Sequence, residues 1–202
     1  MDKDKLIHKF DRQAGVYDRR RQKSSDRTWR EPLVSCAYGK VLEISVGAGA
    51  NFPFYPKDVE VTAVDFSNEM LLAAQRGAAD HRLQVTFLQS DVESLAFPAN
   101  TFDTIVSTLS FCGYENPLQV LASLKEWCKP NGQILLMEHG RSSSPIIRPL
   151  QHIINPMFRR MVGCHVNRDI MGMVQQAGLH IEREEHHWLD MIHRVWARPN
   201  KS

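Results

Sequence analysis

No stretch of this chain stays apolar for the ~18–20 residues that a bilayer-spanning helix needs, so no transmembrane helix is expected. The opening, MDKDKLIHKFDRQ, is charged from its second residue and has no apolar h-region, so it does not read as a secretory leader. Cysteine is sparse. Cys36, Cys112, Cys128 and Cys164 are scattered with no CxxC pair, which suggests neither a zinc site nor a disulfide framework. The expectation is a metal-free protein in a reducing cytoplasm. An excess of charge is also missing: a net +2 does not by itself argue for nucleic acid. The basic cluster Arg19-Arg20-Arg21-Gln22-Lys23 reads better as a solvated helix end than as an RNA contact. Internal repeats, low-complexity tracts and signs of a second domain are absent. What remains is 202 residues with 43% hydrophobic content, enough for one domain with a core.

The pattern along the chain has two parts. Residues 1–39 are helical in composition, with apolar stripes at Leu6, Ile7 and Phe10 and at Trp29, Leu33, Val34 and Ala37, around a loop at Ser24-Ser25-Asp26. They read as a helical cover. From Lys40, strands are expected at 40–45, 59–65, 83–90, 102–109, 132–138, 179–187 and 191–198, with helices at about 67–78, 116–128 and 166–177. This alternation predicts an α/β fold, a doubly wound seven-stranded mostly parallel sheet. Only Leu189-Asp190 separate LHIEREEHHW from MIHRVWAR, too few for a parallel crossover, so an antiparallel C-terminal hairpin is expected. The whole of 1–202 reads as a single domain. Its core is 40–140, followed by a lid and helix over 141–178 and the hairpin over 179–202.

Lys40 to Pro56 is the stretch the rest is arranged around. A short strand, Val41-Leu42-Glu43-Ile44, runs into Ser45-Val46-Gly47-Ala48-Gly49, and glycines there let a ligand approach the backbone closely. Glu43 inside an apolar strand calls for a cation or several hydrogen-bond donors. It would repel a phosphate and suit a ligand carrying an ammonium and a sulfonium. In an open parallel sheet, ligands sit beyond the carboxyl ends of the strands. Those ends supply Asp65, Asp91, Ser107 to Cys112, and Glu138-His139. Asp65 is placed to accept ribose hydroxyls or else to cap a helix, a role for which Ser67 is the better candidate. Asp91 is either an adenine contact or a turn residue.

Glu43-x-x-x-Gly47-x-Gly49, the acids in VDFSNEML and at Asp91, and the block FDTIVSTLSFC resemble the successive motifs of class I S-adenosylmethionine-dependent methyltransferases. LKEWCKPNGQILLMEHG is similar to that family's proline-glycine turn into the fifth strand, and FDRQAGVYD to the N-terminal segment of its quinone- and lipid-methylating members. MEHGRS with the later GCHVNRDI resembles the branch of thiol, lipid and quinone methylases that includes membrane-associated alkyl-thiol methylases. The resemblance implies a Rossmann-like methyltransferase fold with S-adenosyl-L-methionine as cofactor. It implies that Glu43 holds the methionine end through the loop and that the Gly47–Gly49 backbone passes close to it. It further implies that Asp65 binds the ribose, Phe66 and Met70 flank the adenine, and Asp91 and Val92 read its edge. Ser107 and Thr108 approach the sulfonium, Tyr17 closes over the site, and Ser45 and Asn51 complete the cofactor-binding set. Ser45 stands where the family usually has glycine, tolerable unless that position needs a positive φ.

Acceptor chemistry is read from the segments beyond the fourth strand. Ser107-Thr108-Leu109-Ser110-Phe111-Cys112 has no proline, unlike the motif that grips a base amino group, so nucleic acid is not the expected partner. From Ser142 to Asn167 an apolar stripe combines with arginines and no acid, which fits either a membrane-contacting segment over 142–162 or a lid packed on the sheet. Pro149 and Pro156 predict two short helices there. His139 and then His165 are the general-base candidates, with structural roles equally open. Cys112 reads as core packing. The expected partner is a small, largely apolar acceptor, a thiol first, since it needs little base. A phospholipid amine or a quinol is the alternative. An NAD-dependent oxidoreductase is disfavoured because Phe52 stands where the fingerprint's third glycine belongs. A non-catalytic RNA-binding protein is the remaining reading, and a monomer and a dimer are both open.

Overall fold

The computed structural model describes residues 3–23 and 27–201. Seven strands run β1 Lys40–Ile44, β2 Glu60–Asp65, β3 Val85–Gln89, β4 Phe102–Thr108, β5 Cys128–His139, β6 His180–His187 and β7 Ile192–Arg198. Six α-helices are α1 Lys3–Lys23, α2 Arg27–Val34, α3 Asn68–His81, α4 Pro117–Trp127, α5 Ile147–Met161 and α6 Ile170–Gln176. The strands form one sheet in the order β3-β2-β1-β4-β5-β7-β6, parallel through β5, with β7 antiparallel to both β5 and β6. The switch point lies between β1 and β4, where the order reverses and the strand ends open a crevice.

Runs such as Val41-Leu42 and Ile105-Val106 are fully buried because both sheet faces are covered. One face packs under α4 and α6, around Leu121, Leu124, Trp127 and Val174. The other packs under α2 and α3, around Leu33, Val34, Leu71 and Ala74. Ser67 caps α3, its hydroxyl accepting from Met70 N at 3.2 Å.

Several expectations are corrected. The predicted break in the lid does not occur: α5 is one helix with Pro156 inside it. Pro149 falls in the first turn, where an N–H has no helical partner anyway. Pro156 deprives only the His152 carbonyl of an amide, on a helix largely exposed to water. The last two strands are joined by four residues, 188–191, of which Trp188, Leu189 and Asp190 all have positive φ. β5 starts earlier than predicted, at Cys128, because an irregularity between Phe102 and Thr104 admits Pro130-Asn131-Gly132 into the strand. Arg21 is buried rather than solvated, bonded to Asp18 at 2.7 Å and to Asp80 at 3.2 Å, and so ties α1 to α3. The expected loop at Ser24-Ser25-Asp26 lies outside the described residues.

Candidate active site

A cavity of about 550 Å³ lies over the carboxyl ends of β1 to β4 and is roofed by α1. That is a size suited to a small-molecule ligand. Of the residues predicted to bind the cofactor, Tyr17, Ser45, Gly47, Asp65, Phe66, Met70, Asp91, Val92 and Thr108 line it. Glu43, Gly49, Asn51 and Ser107 do not, and each has another task in the structure.

Glu43 is buried behind the loop. Its Oε1 accepts from Asn51 Nδ2 at 2.8 Å and its Oε2 from the Tyr55 hydroxyl at 2.9 Å. Of the two roles the sequence left open, a cation or several donors, the structure shows two donors. Burial pushes the Glu43 carboxyl up to about 7, against the lowering effect of those donors and of nearby Arg30. Asn51 extends the chain: its Oδ1 accepts from Arg30 Nη1 at 2.8 Å, and the same nitrogen donates to Thr108 Oγ1 at 2.8 Å. The result is a connected polar wall from Tyr55 through Glu43, Asn51 and Arg30 to Thr108, which joins α2 to β1 and β4. Gly49 closes on Phe52, whose ring would meet an added Cβ at 2.6 Å.

Asp65 both lines the cavity and shapes it. Its Oδ2 accepts from Gly47 N and its Oδ1 from Ser67 N, each at 2.9 Å. Burial raises it to about 6 in spite of these amides. Gly47 has φ +56, and a Cβ added there would meet nothing within 4 Å. Its backbone thus faces open space in the cavity, which is the cradle a ligand needs. Ser45 also requires a positive φ, of 50, so the position is one where serine is strained. Its hydroxyl is engaged with Tyr114 at 2.8 Å rather than left for a ligand. Asp91 fills two roles at once. It caps the turn at Glu93 N and pairs with Lys3 of α1 at 2.5 Å, while lining the cavity.

The β4 end forms the opposite wall. Ser107 donates to Glu138 Oε1 at 2.7 Å, and Glu138 Oε2 accepts the amides of Ser110 and Phe111 at 2.9 and 3.0 Å. Burial raises Glu138 to about 7, and the Ser107 bond is the first of the effects opposing that rise. This carboxylate pins the loop that carries Leu109, Ser110 and Cys112 into the cavity. Leu109 has φ 56, strain at a functional wall that its amide bond to the Met137 carbonyl at 2.7 Å helps to hold.

Neither predicted base reaches the cavity lining. His139 holds a ring nitrogen within 4.8 Å of the Cys112 and Cys164 sulfurs. His165 donates its backbone amide to the Cys112 carbonyl at 2.9 Å, and its imidazole is held below the usual histidine range by burial and by Arg168. Cys112 packs in the core as expected, at 4% exposed, and has a further place. It is buried yet lines the cavity, with its Sγ 3.3 Å from that of Cys164. Sequence reasoning missed Arg30, Tyr114 and Cys164. Of these only Arg30 left a signal, an arginine next to Trp29 within the apolar stripe of the cover.

This sheet order, with a glycine cradle at its switch point, defines a Rossmann-like α/β protein. The family description "Methyltransferase domain" matches residues 42–136. A phosphatidylethanolamine N-methyltransferase of Cereibacter sphaeroides is 31% identical over 72% of this chain and 74% of its own. A thiol S-methyltransferase of Rattus norvegicus is 28% identical over 68% of this chain and 58% of its own, so this chain spans little more than half of that relative. The PH0226 protein of Pyrococcus horikoshii OT3 shares the fold, with a TM-score of 0.68 at 20% identity, covering 89% of this chain and 91% of that one. The chain belongs to the class I S-adenosylmethionine-dependent methyltransferases, and its cofactor is S-adenosylmethionine. The lining is compatible with that molecule: Gly47 offers open backbone, Asp65 a carboxylate, and Phe66 and Met70 apolar side chains.

Proposed function

We propose that this enzyme methylates a small, largely apolar thiol drawn from an anionic membrane surface. The observation that carries this reading is α5. Its apolar stripe points away from the protein, with Ile153 75% and Met161 65% exposed. Only Gln151 of the helix is buried. It fastens the helix through polar bonds, its Nε2 donating to the Gly140 and Val166 carbonyls at 3.2 and 2.9 Å. Arg148, Arg159 and Arg160 share the helix with no acid, the composition of a helix that lies in an anionic interface. Gly163 and Cys164 come just after α5 and line the cavity, so an acceptor leaving the lipid has a short path inward.

Bound S-adenosylmethionine supplies a methyl group on a sulfonium already activated for displacement. The protein's share is to align the nucleophile and exclude water. Leu6, Ile7, Phe10 and Leu109 give the lining its apolar part, and Arg20 and Arg30 favour an anion beside them. A thiol, with a pKa near ~8.5, is partly ionised at neutral pH and so asks little of a base. A phospholipid amine is the second reading, favoured by Lys3, Arg20 and Arg27, which suit a headgroup phosphate. Methyl-labelled cofactor offered with an alkane thiol, or with phosphatidylethanolamine vesicles, separates the two. Labelled thioether supports the first reading, and label confined to lipid replaces it with the second.

A further inference from the structure

Cys112 from the β4–α4 loop, His139 from the end of β5 and Cys164 from the segment after α5 place two sulfurs and an imidazole nitrogen within 4.8 Å of one another. Fifty-two residues separate the cysteines in sequence, yet their sulfurs stand 3.3 Å apart. We propose that these three side chains bind one thiophilic divalent cation, Zn²⁺ by ligand preference, with its fourth position turned to the cavity.

Three arguments support this. The first is geometric. A tetrahedral ion with zinc–thiolate bonds of about 2.3 Å sets neighbouring sulfurs roughly 3.8 Å apart, so this pair must open by only about half an ångström. Cys164 comes after Gly163, at φ 82, on a connecting segment that can supply that movement. The second is chemical. Two sulfurs and one imidazole select Zn²⁺ over Mg²⁺ or Ca²⁺, which want oxygen. The third is electrostatic. Two thiolates neutralise a divalent ion, so the occupied site buries no net charge.

Three protein ligands with one position left open is the arrangement of a reactive zinc centre rather than a structural one. Cys112 and Cys164 line the cavity, whereas His139 does not, so the open position faces the space assigned to the acceptor. An incoming thiol would bind there as thiolate and release its proton to water. That extension rests on the thiol reading; the ion site does not.

The full chain, reduced and stripped of metal with a chelator, is titrated with Co²⁺ under inert gas. One cobalt per chain is expected, with a thiolate-to-cobalt charge-transfer band and tetrahedral d–d bands that Zn²⁺ abolishes. Cys112→Ala and Cys164→Ala should each lose the band and at least tenfold in affinity, while Cys36→Ala, at an exposed cysteine, keeps both. In the unaltered chain, Zn²⁺ should protect Cys164 from iodoacetamide, read by peptide mass. No band in folded chain, a band intact in both cavity-cysteine variants, or equal alkylation with and without Zn²⁺ would overturn the site. Calorimetry of thiol binding with and without Zn²⁺ then tests the extension separately: tighter binding with the ion supports it, and equal binding removes it.

Discussion

At the scale of single residues, the site is governed by carboxylates that hold the protein in shape. Asp65 grips the Gly47 and Ser67 amides while facing the cavity, so Asp65→Asn disturbs both the loop and the cavity wall. S-adenosylhomocysteine binding should weaken by an order of magnitude or more in calorimetry, at least about 1.4 kcal/mol. Gly47→Ala introduces a Cβ into the open cradle at a positive φ. It should cost about 1 kcal/mol of stability in urea titration, together with a larger relative loss of cofactor affinity. Glu43→Gln tests the polar wall. Its amide would present a donor where Asn51 and Tyr55 already donate, at an expected cost of about 1–3 kcal/mol. The strand-end acids and glycines were legible because backbone turns and buried charge restrict residue type. Arg30 was not: its place depends on how α2 packs, which no local pattern encodes.

Among the elements, α5 departs furthest from what a packed lid would show. Its stripe was readable as amphipathic, but its orientation depends on Gln151, a neutral side chain that no periodicity singles out. Ile153→Glu should abolish co-sedimentation with anionic vesicles while leaving the melting temperature within about 1–2 °C, since this side chain is exposed. Unchanged sedimentation would remove the membrane from the reading. The prolines misled because a rule about helix interiors was applied to one residue in a first turn and to another on a wet surface. Strand identity and the antiparallel end of the sheet were legible from alternation and connection length. The four-residue joint at 188–191 was not, because its left-handed run uses no glycine.

Across the whole molecule, buried acids connect stability to pH. Glu43 and Glu138 both titrate near about 7 in the folded chain, above their ordinary value of 4.5. A carboxyl raised by folding holds its proton longer in the native state, so the stability it contributes is complete below about 4.5 and is lost as pH rises through about 7. Between pH 6 and 8 the native chain should therefore lose urea resistance more steeply than Glu43→Gln, which lacks one of these groups. Parallel slopes would show that Glu43 does not titrate there. The cysteine cluster was invisible in the sequence for a related reason of scale, since its three members meet only once β4, β5 and the segment beyond α5 are assembled. Gln151 has a mechanical consequence as well. With Arg148 and Asn155 it ties the exposed ridge to Gly140, Ser142 and Val166, next to His139 and His165 in the chain. A displacement of that exposed ridge would thus be felt first in the backbone beside the end of the fifth strand.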